Sequence, residues 1–182
     1  MVVRRNEPGL LHRVHDILME KDIVIMPCDT MYGVVGIAPE TEQRIADLKN
    51  REEGKAFLQL IGDISWLKRF TDKEMPESLK VHWPGPLTVI FPDKFNGTVA
   101  LRVPDDKFLK ELLWVLNRPL FSTSVNRSGE KPLFRIGEII RQFNDKVDLI
   151  IDSGDYTNSV PSTIVDVTSS DIRLVRQGCI VL

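Results

Sequence analysis

The apolar residues of this chain change their spacing again and again, and that alternation narrows the fold more than any other property. Leu10, Leu11, Val14, Ile17 and Leu18 recur at helical spacing, which predicts a helix from about Pro8 to Glu20. Ile23 to Met26 is an unbroken apolar run, the mark of a buried strand. Helical spacing returns at Ile45 and Leu48 after Pro39-Glu40-Thr41 and gives out near Lys49-Asn50-Arg51, where Glu52-Glu53-Gly54 breaks it. Ala56 to Ile61 reads as a strand, and Ile64 to Phe70 and Pro76 to Val81 as short helices. Leu87 to Phe91 and Thr98 to Val103 form a predicted hairpin through Asn96-Gly97. Leu109 to Leu116 is helical, Pro119 to Val125 a strand, Ile136 to Phe143 a helix and Val147 to Ile151 a strand. Thr163 to Val167 and Ile172 to Val175 make a second hairpin. Helices interleaved with strands and hairpins specify an α/β protein with a mixed, twisted sheet. With 182 residues and no repeat, linker or low-complexity stretch, one domain over 1–182 is expected.

One stretch stands out within this pattern, Met26-Pro-Cys-Asp-Thr-Met-Tyr-Gly-Val-Val-Gly36. It reads as a strand that ends at Pro27 in a polar loop, with glycines behind. Ligands of α/β proteins gather at the carboxyl ends of strands. If the loop is extended, Thr30 and Tyr32 point to one side and offer two hydroxyls to a small polar ligand. A plain strand–turn–helix connection is the competing reading.

Bulk properties exclude several classes. Net charge is −2, so no global attraction to nucleic acid is expected, although the 24 Lys and Arg leave room for a local basic surface. The two cysteines, Cys28 and Cys179, lack metal-ligand spacing and argue for a reducing compartment. Met1-Val-Val-Arg-Arg does not read as a signal peptide, and no apolar run is long enough to cross a bilayer. A cytoplasmic location without membrane partners is therefore expected. Phosphate-loop, dinucleotide-binding, nucleophile-elbow and zinc signatures are all missing. The pair His12 and His15 shares a helical face, and a solvated face explains it better than a metal.

Polar clusters close several of the apolar segments. Lys49, Arg51 and Lys55 sit where the second helix ends. Residues two apart do not share a helical face, so Lys49 and Arg51 converge only if the helix has unwound. Converging cations suit a polyphosphate; a solvated helix end favouring the dipole is the alternative. Ser122-Thr123-Ser124-Val125-Asn126 closes another strand, where Ser124 and Asn126 suit phosphate or ribose, or else a turn. Arg102 lies inside an apolar strand and needs an anion, either a ligand carboxylate or a neighbour such as Asp105 or Asp106. Pro161-Ser162-Thr163 and Arg176 flank the last strands.

Taken in order, these segments resemble one family. Pro27-Cys28-Asp29-Thr30-Met31-Tyr32-Gly33 is similar to Pro-Thr-Asp/Glu-Thr-x-Tyr-Gly, with Cys28 where Thr is usual. Lys49-x-Arg51 with Lys55, Trp83-Pro84-Gly85-Pro86-Leu87-Thr88, Arg102-Val103-Pro104, Ser124-Val125-Asn126-x-Ser128-Gly129, Ser162-Thr163-Ile164-Val165-Asp166 and Arg176-Gln177-Gly178 follow in family order. The chain thus resembles the YrdC/YciO family, the catalytic domain of threonylcarbamoyl-AMP synthases. The resemblance implies an open twisted mixed sheet flanked by helices, with a basic concave ligand-binding face. It implies condensation of L-threonine, bicarbonate and ATP with Mg²⁺, release of pyrophosphate, and a product used to modify adenosine 37 of transfer RNA by later threonylcarbamoyl-transfer proteins. Thr30, Tyr32, Arg102, Thr123 and Ser162 would then hold threonine. Lys49, Arg51, Lys55, Ser124, Asn126, Ser162 and Arg176 would hold ATP, with Lys49 and Arg51 catalytic. The family also has a YciO-like branch, so a paralogue that binds nucleotide, transfer RNA or double-stranded RNA without synthase activity is the other function implied.

Overall fold

A computed structural model describes residues 1–50, 57–156 and 159–182. Among these residues, ten strands form one sheet, flanked by five α-helices and a 3₁₀ turn at Ile64–Arg69. In chain order the strands are β1 (Val2–Arg4), β2 (Val24–Pro27), β3 (Tyr32–Ile37), β4 (Leu58–Leu60), β5 (Leu87–Pro92), β6 (Thr98–Arg102), β7 (Leu120–Ser124), β8 (Leu149–Asp152), β9 (Thr163–Asp166) and β10 (Arg173–Arg176). The helices are α1 (Leu10–Met19), α2 (Glu42–Lys49), α3 (Glu77–Lys80), α4 (Lys107–Leu116) and α5 (Ile136–Phe143). Across the sheet the order is β1-β8-β2-β3-β7-β4-β6-β5-β9-β10, with parallel and antiparallel pairs mixed. The expected class, an open mixed sheet with flanking helices, is the class observed.

Both expected hairpins form, β5–β6 and β9–β10. Asn96 turns the first in the left-handed region, at φ 65°. A third hairpin, β2–β3, replaces the polar loop expected after Pro27. Its turn is closed by the Cys28 amide donating to Met31 O at 2.9 Å, and Met26 pairs with Gly33. Gly33 and Gly36 are strand residues, there for close approach rather than for a turn. A Cβ at Gly33 would lie 2.9 Å from Cys28 Sγ, and one at Gly36 would lie 2.3 Å from Thr41 Oγ1. Strand β1 was also unexpected; its three residues are too few to show a period.

Strand alternation assigns the two faces. One carries Val24, Met26, Val35, Ile37, Leu60, Leu120, Leu149 and Ile151, and α1 and α4 bury it with Leu10, Val14, Leu18, Leu109, Leu112 and Leu116. The opposite face is covered from β8 to β9. Ile45 of α2 and Ile139 and Phe143 of α5 pack on Ile25, Val34, Phe121 and Ile150. Trp66, Leu67 and Leu79, from the 3₁₀ turn and α3, pack on Leu87, Val89, Phe91, Val99, Leu101 and Val165. No described helix covers the first face where β6, β5 and β9 carry Ala100, Ile90 and Ile164, all only half-buried. No described helix is long and apolar enough to cross a membrane.

Candidate ligand-binding site

A cavity of about 350 Å³ lies over the uncovered part of that face. Seven consecutive strands, from β3 to β10, supply its lining. The register shows how. Leu58 stands between Ser122 and Ala100, Ala100 opposite Ile90, and Ile164 between Thr88 and Arg176. Residues so paired share a face, so a continuous row of side chains runs beneath the cavity.

Arg102 and Arg176 supply its positive charge. Arg102 is buried and forms an ion pair with Asp29, whose second oxygen accepts the Asp105 amide at 3.3 Å. The acid is thus neither of the two expected from sequence. Asp105 pairs with Lys110, while Asp106 caps α4 through the Leu109 amide and pairs with Arg5. Arg102 Nε has no hydrogen-bond partner, the one such buried side-chain atom among the described residues. Arg176 donates to Ser162 O from Nε at 3.2 Å and from Nη2 at 2.8 Å. Ser162 Oγ in turn lies 2.9 Å from Thr88 Oγ1. Although β10 is largely exposed, partial desolvation of the Arg176 head, and then the like charge of Arg102, lower its pKa. No carboxylate among the described residues pairs with Arg176. Among the described residues, two guanidiniums share the cavity with a single neighbouring carboxylate, an arrangement that suits an anion.

Thr30, Tyr32, Thr123, Ser124 and Ser162 all line this cavity, as do Arg102 and Arg176. The Tyr32 hydroxyl is already engaged, however. It accepts from the Ser153 amide and donates to Gly154 O, each at 2.8 Å, and burial pushes its pKa up to about 12. Tyr32 belongs to the core beneath, edge-on to Tyr156 with ring centroids 5.2 Å apart. Its hydroxyl fixes the loop after β8, whereas Thr30 stands in the turn itself.

Lys49, Ser124 and Asn126 converge, as the family resemblance implied. Asn50 takes the left-handed conformation, φ 49°, and ends α2 directly after Lys49. The buried Lys49 ammonium then donates to Ser124 O, to Asn126 O at 2.9 Å and to Asn126 Oδ1 at 2.8 Å. Ser124 Oγ donates to the same Oδ1 at 2.6 Å, and Asn126 Nδ2 holds Glu130 O at 2.7 Å. Of the three, Ser124 lines the cavity, while Lys49 and Asn126 brace the loop behind it. Arg51 and Lys55 lie outside the described residues.

Three contributors escaped the sequence reading: Asp29, Thr88 and Ser122. Thr88 carried a usable signal, being the polar member of an apolar strand at the parity opposite Leu87 and Val89. Cys28, also in the lining, is buried with Sγ 3.7 Å from Ser122 Oγ. No group of three His, Cys, Asp or Glu among the described residues is placed to hold a metal.

The fold and the site together define a mixed α/β sheet domain with an arginine-lined cavity on one face. Its family is identifiable: the model named Sua5_yciO_yrdC, described as "Telomere recombination", matches residues 16–178, and the chain belongs to that family. Sua5 of P. abyssi in complex with L-threonine matches with a TM-score of 0.86 and 27% identity, over 98% of this chain and 57% of that one. MTH1692 of Methanobacterium thermoautotrophicum matches with a TM-score of 0.72 and 30% identity, over 98% and 91%. E. coli YciO shares the fold, with a TM-score of 0.82 at 23% identity, over 98% and 94%. The chain thus spans little more than half of P. abyssi Sua5.

Proposed function

We propose that this chain is an L-threonylcarbamoyladenylate synthase, a nucleotidyltransferase acting on L-threonine, bicarbonate and ATP. The observation that carries the reading is the cavity shared by Arg102 and Arg176, in a domain that matches a threonine-bound Sua5 over 98% of its length. The threonine amine attacks carbon dioxide with loss of a proton, or bicarbonate with loss of water, to give a carbamate, and a carbamate oxygen attacks the α-phosphorus of ATP, displacing pyrophosphate. Arg102 sits by the threonine carboxylate, with Thr30, Thr123 and Ser162 as hydrogen-bonding groups. Arg176 faces the α-phosphate. Ser124, on a loop braced by Lys49 and Asn126 and joined by Arg51 and Lys55, receives the triphosphate, and Mg²⁺ arrives as part of the metal–nucleotide substrate. Positioning two anions and offsetting their charge is the main task, and no protein nucleophile is required. The product then passes to proteins that modify adenosine 37 of transfer RNA.

The test is pyrophosphate release by purified protein given ATP, Mg²⁺, bicarbonate and threonine. Release that needs both threonine and bicarbonate is expected. Release independent of them, or none at all, overturns the synthase reading; binding of nucleotide or double-stranded RNA without turnover would then mark a YciO-like binding module.

A further inference from the structure

Arg102 reaches the cavity as a buried cation with an unfinished set of partners. Its Nη2 is tied to Asp29 Oδ1, yet its Nε–H finds no acceptor among the described residues. Arg102 and Asp29 are both almost wholly enclosed, their side chains 3% and 5% exposed. A guanidinium presents its donors in a rigid planar fork, so fixing one end fixes the direction of the others. Asp29 is itself fixed, because its second oxygen accepts the Asp105 amide from the start of the α4 segment. Its turn is closed by the Cys28–Met31 hydrogen bond. Asp29 is not in the lining of the 350 Å³ cavity; it borders an adjoining cleft, and Thr30 stands between the two.

We propose that Asp29 is a positioning residue for the ligand's carboxylate: held behind Arg102, it orients the guanidinium so that the unpaired Nε–H is kept for an anion in the cavity. The ligand completes the hydrogen bonding of a buried cation that Asp29 only half satisfies. This rests on the threonine-binding role proposed above.

The experiment is calorimetric titration of L-threonine into the wild type, Asp29→Asn and Asp29→Glu, below the melting temperature of each. If Asp29 orients Arg102, Asp29→Asn weakens threonine binding about tenfold or more, the loss of a charge-assisted hydrogen bond. Asp29→Glu, with its charge kept but its reach changed, falls between. Should Asp29 act as a counter-charge alone, removing its charge leaves the cavity more positive, and Asn at this position binds threonine as well as the wild type or better; that result overturns the proposal. If Asp29→Asn does not fold, Asp29→Glu decides, since unchanged affinity there also overturns it. A wild type that binds no threonine overturns the functional reading, and the role of Asp29 with it.

Discussion

The thiol of Cys28 is pushed up to about 12 by burial, so it stays protonated and unreactive near neutral pH although it borders the cavity. A disulfide reagent at about pH 8 is expected to modify one thiol in the native chain, the exposed Cys179, and the second only after denaturation. Two fast thiols, read by mass spectrometry, would contradict that. Lys49 shows burial working through a different group. Its ammonium meets Ser124 O, Asn126 O and Asn126 Oδ1, so Lys49→Ala strands acceptors in a buried loop. The expected cost is about 3 kcal/mol in urea denaturation, the scale of hydrogen bonds to a charged donor. That Ser124 and Asn126 act together was legible because residues two apart in an extended segment share a side; that Lys49, 75 residues before Ser124, joins them was implied only by the family resemblance. The pairing of Arg102 with Asp29 was not, because 73 residues separate them and sequence offered nearer acids.

At the level of elements, α1, α4 and α5 were legible because each buries one stripe at helical period. The β2–β3 hairpin was not: glycines that serve close packing look the same in sequence as glycines that break a strand. A comparable close approach holds the carboxyl-terminal segment. The Gly178 amide donates to Thr163 Oγ1 at 3.0 Å, and a Cβ there would lie 2.2 Å from Pro161 O and 2.4 Å from Thr163 N. These are backbone atoms with nowhere to go. Gly178→Ala is expected to cost about 1–3 kcal/mol, as overpacking does, with faster hydrogen exchange at the Ile180 amide, which also bonds Thr163 Oγ1. The β9–β10 connection carries a pH dependence. Asp166 is held at about 2, below its ordinary 3.8, by the hydroxyl and amide of Thr168 and then by Arg173. A depressed carboxyl contributes stability that is present above the ordinary value and is lost as pH falls through the folded one. Thermal melts of the wild type and Asp166→Asn should therefore differ above about pH 4 and converge towards pH 2.

For the whole molecule, the alternation of helices and strands revealed the class of sheet but not its order, since neighbours such as β4 and β7, or β5 and β9, come from distant segments. The cavity depends on that order. Helices α1 and α4 cover one end of the face and leave the rest open, so a bound ligand takes the place a further helix would fill. Threonine alone, at about 100 times its dissociation constant, should stabilise the fold by about 2.7 kcal/mol. In a chain of this size that raises the melting temperature by about 5–10 °C, measurable by scanning calorimetry; no rise would count against occupancy of the cavity. The sheet has one more consequence. Strands β1 and β10 form its opposite edges. Ten strands leave nine gaps of about 4.8 Å, so the arc between those edges is about 43 Å long. The arc is fixed by backbone hydrogen bonds, but the straight line joining its ends is not. Like the string of a bow, that line shortens when the sheet bends further, and a pair of spin labels on β1 and β10 would report how far a ligand draws it.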